Sequence, residues 1–344
     1  MLNGLMVVSK GVRAKVNIGD YIQALAAKQF FPSIDIMLER ETDLKSYSGN
    51  PVKMIMNGWY MNHPENWPPS DCIIPLFVAF HINICGLPGL LNQESINYLK
   101  KHAPIGCRDT NSVQLLEKQG VNAYYTGCLT LTLGKSYKSM HRNGKTYIVE
   151  PNCAQSGLIS HHKWISIKNF IYLLLHFNDV RKISRKKKQH GIKSHFYNAY
   201  FLKEYSKVFD YQLLLDSEYI NQYNYDIEKE YPSQEDKFNY AESLIKKYAE
   251  AECVITSRIH CALPCIGLET PVIFIESLKD DECSTSRFGG LKNLFNIIYW
   301  DGIQLKNNLT TSKINKNNFP QNKDSWKPLA QKLINTCLSF TQVK

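Results

Sequence analysis

Short apolar runs alternate with segments of helical period along most of this chain. That alternation points to one fold class, a mostly parallel sheet flanked by helices. Residues 5–8 read as a first strand and 21–31 as a helix with Ile22, Leu25, Ala26 and Gln29 at helical spacing; Asp20 suits its N-cap. Residues 53–57, 73–80 and 104–107 read as strands. The last hands over at Arg108-Asp109 to a helix over 111–119, which Gly120 closes ahead of a strand at 121–125. The polar, basic, glycine-bounded stretch 134–145 reads as a linker. The pattern then restarts with a strand at 146–149, helices over 165–176 and 199–209, a strand at 211–215 and an amphipathic helix over 235–251. Residues 306–323 read as a loop and 325–340 as a closing helix.

A chain of 344 residues is long for one core and suits two. The expected organisation is α/β, with two Rossmann-like domains over residues 1–140 and 141–324 and a final helix over 325–344. Ligands of open α/β sheets gather beyond the carboxyl ends of the strands, so two facing domains would share one cleft. No run reaches the roughly 18 apolar residues of a membrane helix, and the N-terminal apolar run has no basic segment ahead of it, so it reads as a strand and not a secretion signal. The 10 cysteines are scattered through apolar segments without a C-x-x-C pair, which predicts reduced thiols and a cytoplasmic protein. The formal charge of +10 is densest at Arg181 to Lys188 (RKISRKKK), with Lys193 nearby. Such a cluster suits a solvated loop, an anionic membrane surface or a polyanionic substrate. No zinc-finger spacing or aromatic RNA-binding signature accompanies it, so nucleic acid is not expected as a partner.

The segment Glu252 to Glu276 (ECVITSRIHCALPCIGLETPVIFIE) sets two polar residues, Arg258 and His260, between two apolar runs. If 253–256 is a strand and 261–268 a helix, Ser257 to His260 form the turn between them. The pair then stands at a helix N-terminus, where free amides and the helix dipole favour an anion. An arginine there offers a planar fork to carboxylate or phosphate, and a histidine offers a proton near neutral pH. The competing structural role is an Arg258 paired with a carboxylate and a His260 satisfied in the core. His161-His162 and the His190/His195 pair lack companions at ligand spacing, so no metal site is expected. No G-x-G-x-x-G, Walker A or G-x-S-x-G pattern supports a dinucleotide, P-loop or hydrolase site.

Several segments resemble the polysaccharide pyruvyl transferase family: NIGDYIQALA at 17–26, GCRD at 106–109, TSRIHCALPCIGLETPVIF at 256–274 and SRFGGLKNL at 286–294. The resemblance implies a fold similar to the GT-B glycosyltransferases. It also implies transfer of a pyruvyl group from phosphoenolpyruvate to two hydroxyls of a sugar, forming a cyclic ketal on a bacterial surface polysaccharide or its lipid-linked precursor. The donor is then a substrate and no cofactor is needed. Donor-binding residues would be Ser257, Arg258, Ile259 and His260, with Arg287 a further cation. His260 is the expected acid, and Asp20 the expected base for the acceptor hydroxyl. Acceptor contacts are expected from Asn17, Gly19, Trp59 and His81. Expected partners are phosphoenolpyruvate, a sugar acceptor free or lipid-linked, and peripheral contact with an anionic membrane at its inner face.

Two departures stand out. Relatives often place an arginine after the first strand of the second half, where this chain reads Ile148-Val149-Glu150-Pro151-Asn152; a second phosphate cation must then come from Arg287, Arg142 or a lysine of 182–188. Where relatives often read Gly-Asp-Pro, it has Gly127-Cys128-Leu129. Competing readings are a GT-B glycosyltransferase using a nucleotide-sugar donor, and an inactive anion-binding scaffold of a polysaccharide assembly complex.

Overall fold

The computed structural model describes residues 1–8, 16–153, 163–224, 226–279 and 288–342. Among these residues the strands form two six-stranded sheets and one two-stranded pairing. In the first, β1 (Leu2–Val7), β2 (Ile36–Glu39), β3 (Val52–Tyr60), β4 (Ile73–Ile82), β5 (Ile105–Cys107) and β6 (Ala123–Tyr125) lie in the order 2-1-3-4-5-6, every pairing parallel. The second contains β7 (Thr146–Val149), β8 (Glu218–Ile220), β9 (Cys253–Thr256), β10 (Val272–Ser277), β11 (Asn296–Trp300) and β12 (Leu305–Lys306) in the order 12-11-10-9-7-8. Only the β11–β12 pairing is antiparallel. These strands are short and mostly buried, as parallel strands covered on both faces must be.

Helix α1 (Ile18–Lys28) follows β1 and is buried along most of its length, because it lies between the sheets. Its Tyr21 ring meets Phe238 edge-on at 5.1 Å, and its hydroxyl donates to Gln234 at 2.8 Å. One apolar cluster therefore runs from Leu5 and Ile55 of the first sheet through Ile22 and Leu25 to Leu244, Leu263 and Val254 of the second. The C-terminal helix, Lys327–Gln342, returns to the first sheet, where the Phe340 carbonyl accepts from Lys53 at 3.3 Å.

Two local expectations are corrected. The N-cap of α1 is Asn17, whose side chain accepts from the Gly19 amide at 3.1 Å; Asp20 sits in the first turn instead. Residues Tyr211–Asp216 are a helix, not a strand, because Asp210 caps it by accepting from the Leu213 amide at 3.0 Å and its Leu213-Leu214-Leu215 run packs inward. The stretch 134–145 opens on a helical turn, Gly134–Tyr137, tightly packed on the second sheet's helix: a Cβ on Gly134 would lie 2.2 Å from the Gly267 carbonyl. Arg142 fastens the rest, donating to the carbonyls of Ala249, Ala251 and Glu269 and to Thr270.

Candidate active site

The carboxyl ends of β7 and β9 are tied together before either loop departs. The Thr256 hydroxyl donates to the Val149 carbonyl at 2.8 Å and accepts from the Arg258 amide at 2.9 Å, while the Ser257 hydroxyl accepts from the Asn152 amide at 2.6 Å. The next helix, Ile259–Gly267, starts with Arg258 at its N-cap and Ile259 buried in the first turn. His260 leaves helical geometry, at φ −86° and ψ 20°. Pro264 explains this: it has no N–H to give the His260 carbonyl, so the helical ladder does not hold that residue.

Arg258 donates through Nε to Glu150 Oε2 at 2.5 Å, and its guanidinium lies 5.0 Å from the Tyr223 ring centroid. Glu150, at a left-handed φ of 41°, is held there by a second contact: its Oε1 accepts from the Tyr223 amide at 3.1 Å. The structure thus gives Arg258 the carboxylate partner that the competing structural reading required. That contact uses only Nε, and the terminal guanidinium nitrogens make no hydrogen bond among the described residues.

These residues line a cavity of about 510 Å³ together with Lys187, Asn198 and Tyr219. The Lys187 ammonium donates to Asn198 Oδ1 at 2.9 Å and lies 3.9 Å from the Phe201 ring centroid. Desolvation pushes it down to about 8 from 10.5. Its neighbours are occupied elsewhere: Lys182 pairs with Asp216, Lys186 donates to the carbonyls of 215–217, and Lys188 pairs with Glu230. With Arg142 committed to carbonyls and Thr270, and Arg287 outside the described residues, Lys187 is the candidate among the described residues that shares a cavity with Arg258.

On the other side of His260 stands α1. Gln23 Nε2 donates to Asp20 Oδ1 at 3.2 Å and lies 3.3 Å from His260 Nδ1. The Gln23 backbone is fixed, since its main-chain carbonyl accepts from Asn57 Nδ2 at 3.1 Å where β3 bulges at Gly58. Gly19 is as close: a Cβ there would fall 2.9 Å from the His260 Cβ, so this approach admits only glycine. The pair Val16–Asn17 runs antiparallel to Tyr223–Asn224, which joins the start of α1 to the cavity wall. Asn17, Gly19, Asp20 and His260 are therefore brought together. Trp59 and His81 are engaged otherwise: Arg40 lies 5.2 Å over the Trp59 ring, and buried His81 contacts Asp109 at 2.5 Å. Burial pushes Asp109 up, but the hydrogen bond and charge of His81, with Arg108, hold its carboxyl below the usual range. No cluster of three or more metal-ligating side chains occurs among the described residues.

Sequence reasoning did not single out Gln23, Glu150 or Tyr223. Glu150 had a signal, since it occupies the position where an arginine was expected; Gln23 had only its place one turn beyond Asp20.

The elements that frame this site, from the start of α1 to the end of β10, fall within the stretch matched by a family of transferase enzymes. The chain belongs to the polysaccharide pyruvyl transferase family, which matches residues 17–278. No curated protein and no solved structure matches it.

Proposed function

We propose that the protein transfers a pyruvyl group from phosphoenolpyruvate to two hydroxyls of a sugar on a surface polysaccharide or its lipid-linked precursor, with the two sheets forming GT-B-like halves. The observation that carries this reading is the cavity in which Arg258 and Lys187 stand together. Against the single carboxylate of Glu150, two cations leave an excess positive charge suited to a small polyanion in a water-poor site. Glu150 holds the Nε edge of Arg258, so the other edge of the fork can grip the donor's carboxylate or phosphate. Lys187 is the second cation that the departure at 148–152 left unassigned, and an arriving phosphate would hold its proton in place.

The chemistry balances with these residues. A proton adds to the vinyl carbon of the donor, a first sugar hydroxyl bonds to the adjacent carbon, and the second hydroxyl displaces phosphate there. One hydroxyl proton is accounted for by the new methyl group and the other by the departing phosphate. While Asp20 is ionised, the Gln23 amide must turn its NH₂ toward it, and its second hydrogen then meets His260 Nδ1. With both amide hydrogens so directed, His260 Nδ1 accepts and the ring proton sits on Nε2. A bound phosphate favours imidazolium. The amide then turns its oxygen to Nδ1–H and releases Asp20, so charging the acid frees the base.

The test is phosphate release from phosphoenolpyruvate with galactose-, mannose- and glucosamine-type acceptors, free and lipid-linked. Acceptor-dependent release with a ketal in the product supports the reading; no release with any of them counts against it.

A further inference from the structure

Helix α4 (Lys163–Leu175) turns its apolar stripe away from the protein. Ile167, Phe170, Ile171 and Leu174 recur at the i, i+3, i+4, i+7 spacing that normally faces a core, yet their exposures are 51%, 53%, 51% and 62%. The inward face holds Leu173 and Asn169, whose side chain donates to the Phe196 carbonyl at 2.8 Å. The apolar surface continues past the helix end through Leu175, 75% exposed, and Phe177, which opens α5 (Phe177–Lys186) and stacks on His195 of α6 (Ile192–Tyr205). Ile192, less than a turn before His195, is 87% exposed. Scattered exposed hydrophobics are ordinary; a helical stripe of them with a continuous extension is not.

Beside this surface lies the basic cluster. Residues 181–193 hold seven lysines and arginines and no acidic residue. Arg181 and Arg185 are exposed on α5 and have no ion-pair partner among the described residues. An apolar face bordered by unpaired cations is the pattern of a helix lying in the headgroup region of an anionic bilayer, apolar side chains inserted and cations at the phosphates.

We infer that the α4–α5 surface docks the protein on an anionic membrane, Phe170, Ile171 and Leu174 inserting while Arg181 and Arg185 contact lipid headgroups. A second copy of the chain fits this surface worse: a twofold contact through it would bring one basic cluster toward the other. The inference is independent of the donor and of catalysis.

The test is sedimentation with vesicles of neutral phosphatidylcholine and with vesicles containing about one-third phosphatidylglycerol, at low and high salt. The protein should sediment with the anionic vesicles, stay in solution with the neutral ones, and be released by salt. The Phe170→Ser/Leu174→Ser variant should lose roughly tenfold or more in partitioning. The Arg181→Gln/Arg185→Gln variant should lose about twenty-five-fold, about fivefold per charge, and keeps the apolar stripe if the first variant folds poorly. Absence of binding to anionic vesicles overturns the inference, as does binding by both variants equal to that of the parent. So does a concentration-dependent dimer abolished by Phe170→Ser/Leu174→Ser in a protein indifferent to vesicles, which would assign the face to a second copy.

Discussion

Replacing Lys187 by methionine removes a charge while leaving an unbranched stem to fill the space over Phe201. Desolvation holds the ammonium down at about 8 against an ordinary 10.5, and two effects of opposite sign follow. An ammonium–phosphate contact is a charge-assisted pair of about 1.5–3 kcal/mol, so the Kd for phosphoenolpyruvate should rise roughly 10- to 150-fold at neutral pH. The folded-state value lies below the unfolded one, so the charged lysine costs stability below about pH 8, and that cost fades as pH rises toward 10.5. The cost at neutral pH is at most roughly 3 kcal/mol, and Lys187→Met should therefore raise Tm there. A pH series separates the two. Donor affinity of the parent should fall as pH rises through about 8, where unliganded Lys187 loses its proton, and the variant should lack that step. Calorimetric titration and thermal melts measure both. A variant that binds phosphoenolpyruvate as tightly as the parent, or keeps the step, refutes the assignment of Lys187 as second cation.

Other perturbations address neighbouring residues. Arg258→Lys keeps the charge but offers one ammonium where Glu150 and a ligand need different edges of a fork, so donor affinity should fall about tenfold in titration. His260→Ala should lower kcat by roughly two orders of magnitude or more while leaving donor Kd within a few-fold of the parent; near-full turnover would exclude His260 as the acid. Gln23→Leu should also lower kcat, and should shift the pH profile by releasing the tautomer of His260, an effect that a purely structural glutamine would not produce. Gly134→Ala sets a Cβ against the Gly267 carbonyl and should cost about 2–3 kcal/mol, read as a Tm lowered by several degrees.

The alternation of strand-like and helix-like segments made the α/β class legible, because parallel strands covered on both faces are written as continuous apolar runs. It misread Tyr211–Asp216, where three consecutive leucines look like a buried strand and only the cap at Asp210 shows the helix. The turn Ser257–His260 was legible as the junction of a strand and a helix because polar residues between two apolar runs need a reason. Its surroundings were not. Glu150 and Arg258 are 108 positions apart, and Gln23 and His260 are 237 apart. Contacts across such separations leave no periodicity in one sequence. The basic run 181–188 was visible as charge alone. Which lysine turns into the cavity depends on how α5 sits against Asn198 and Phe201, and the apolar stripe beside the run changes meaning only once it is seen to face outward.

Whether the Arg258–Lys187 cavity holds phosphoenolpyruvate is decided by titrating the full chain with phosphoenolpyruvate and, separately, with a nucleotide sugar. Phosphoenolpyruvate should bind saturably and lose that binding in Arg258→Ala, and the nucleotide sugar should not bind. Binding of the nucleotide sugar by a protein indifferent to phosphoenolpyruvate, or phosphoenolpyruvate binding unchanged in Arg258→Ala, would contradict the assignment of the cavity to phosphoenolpyruvate.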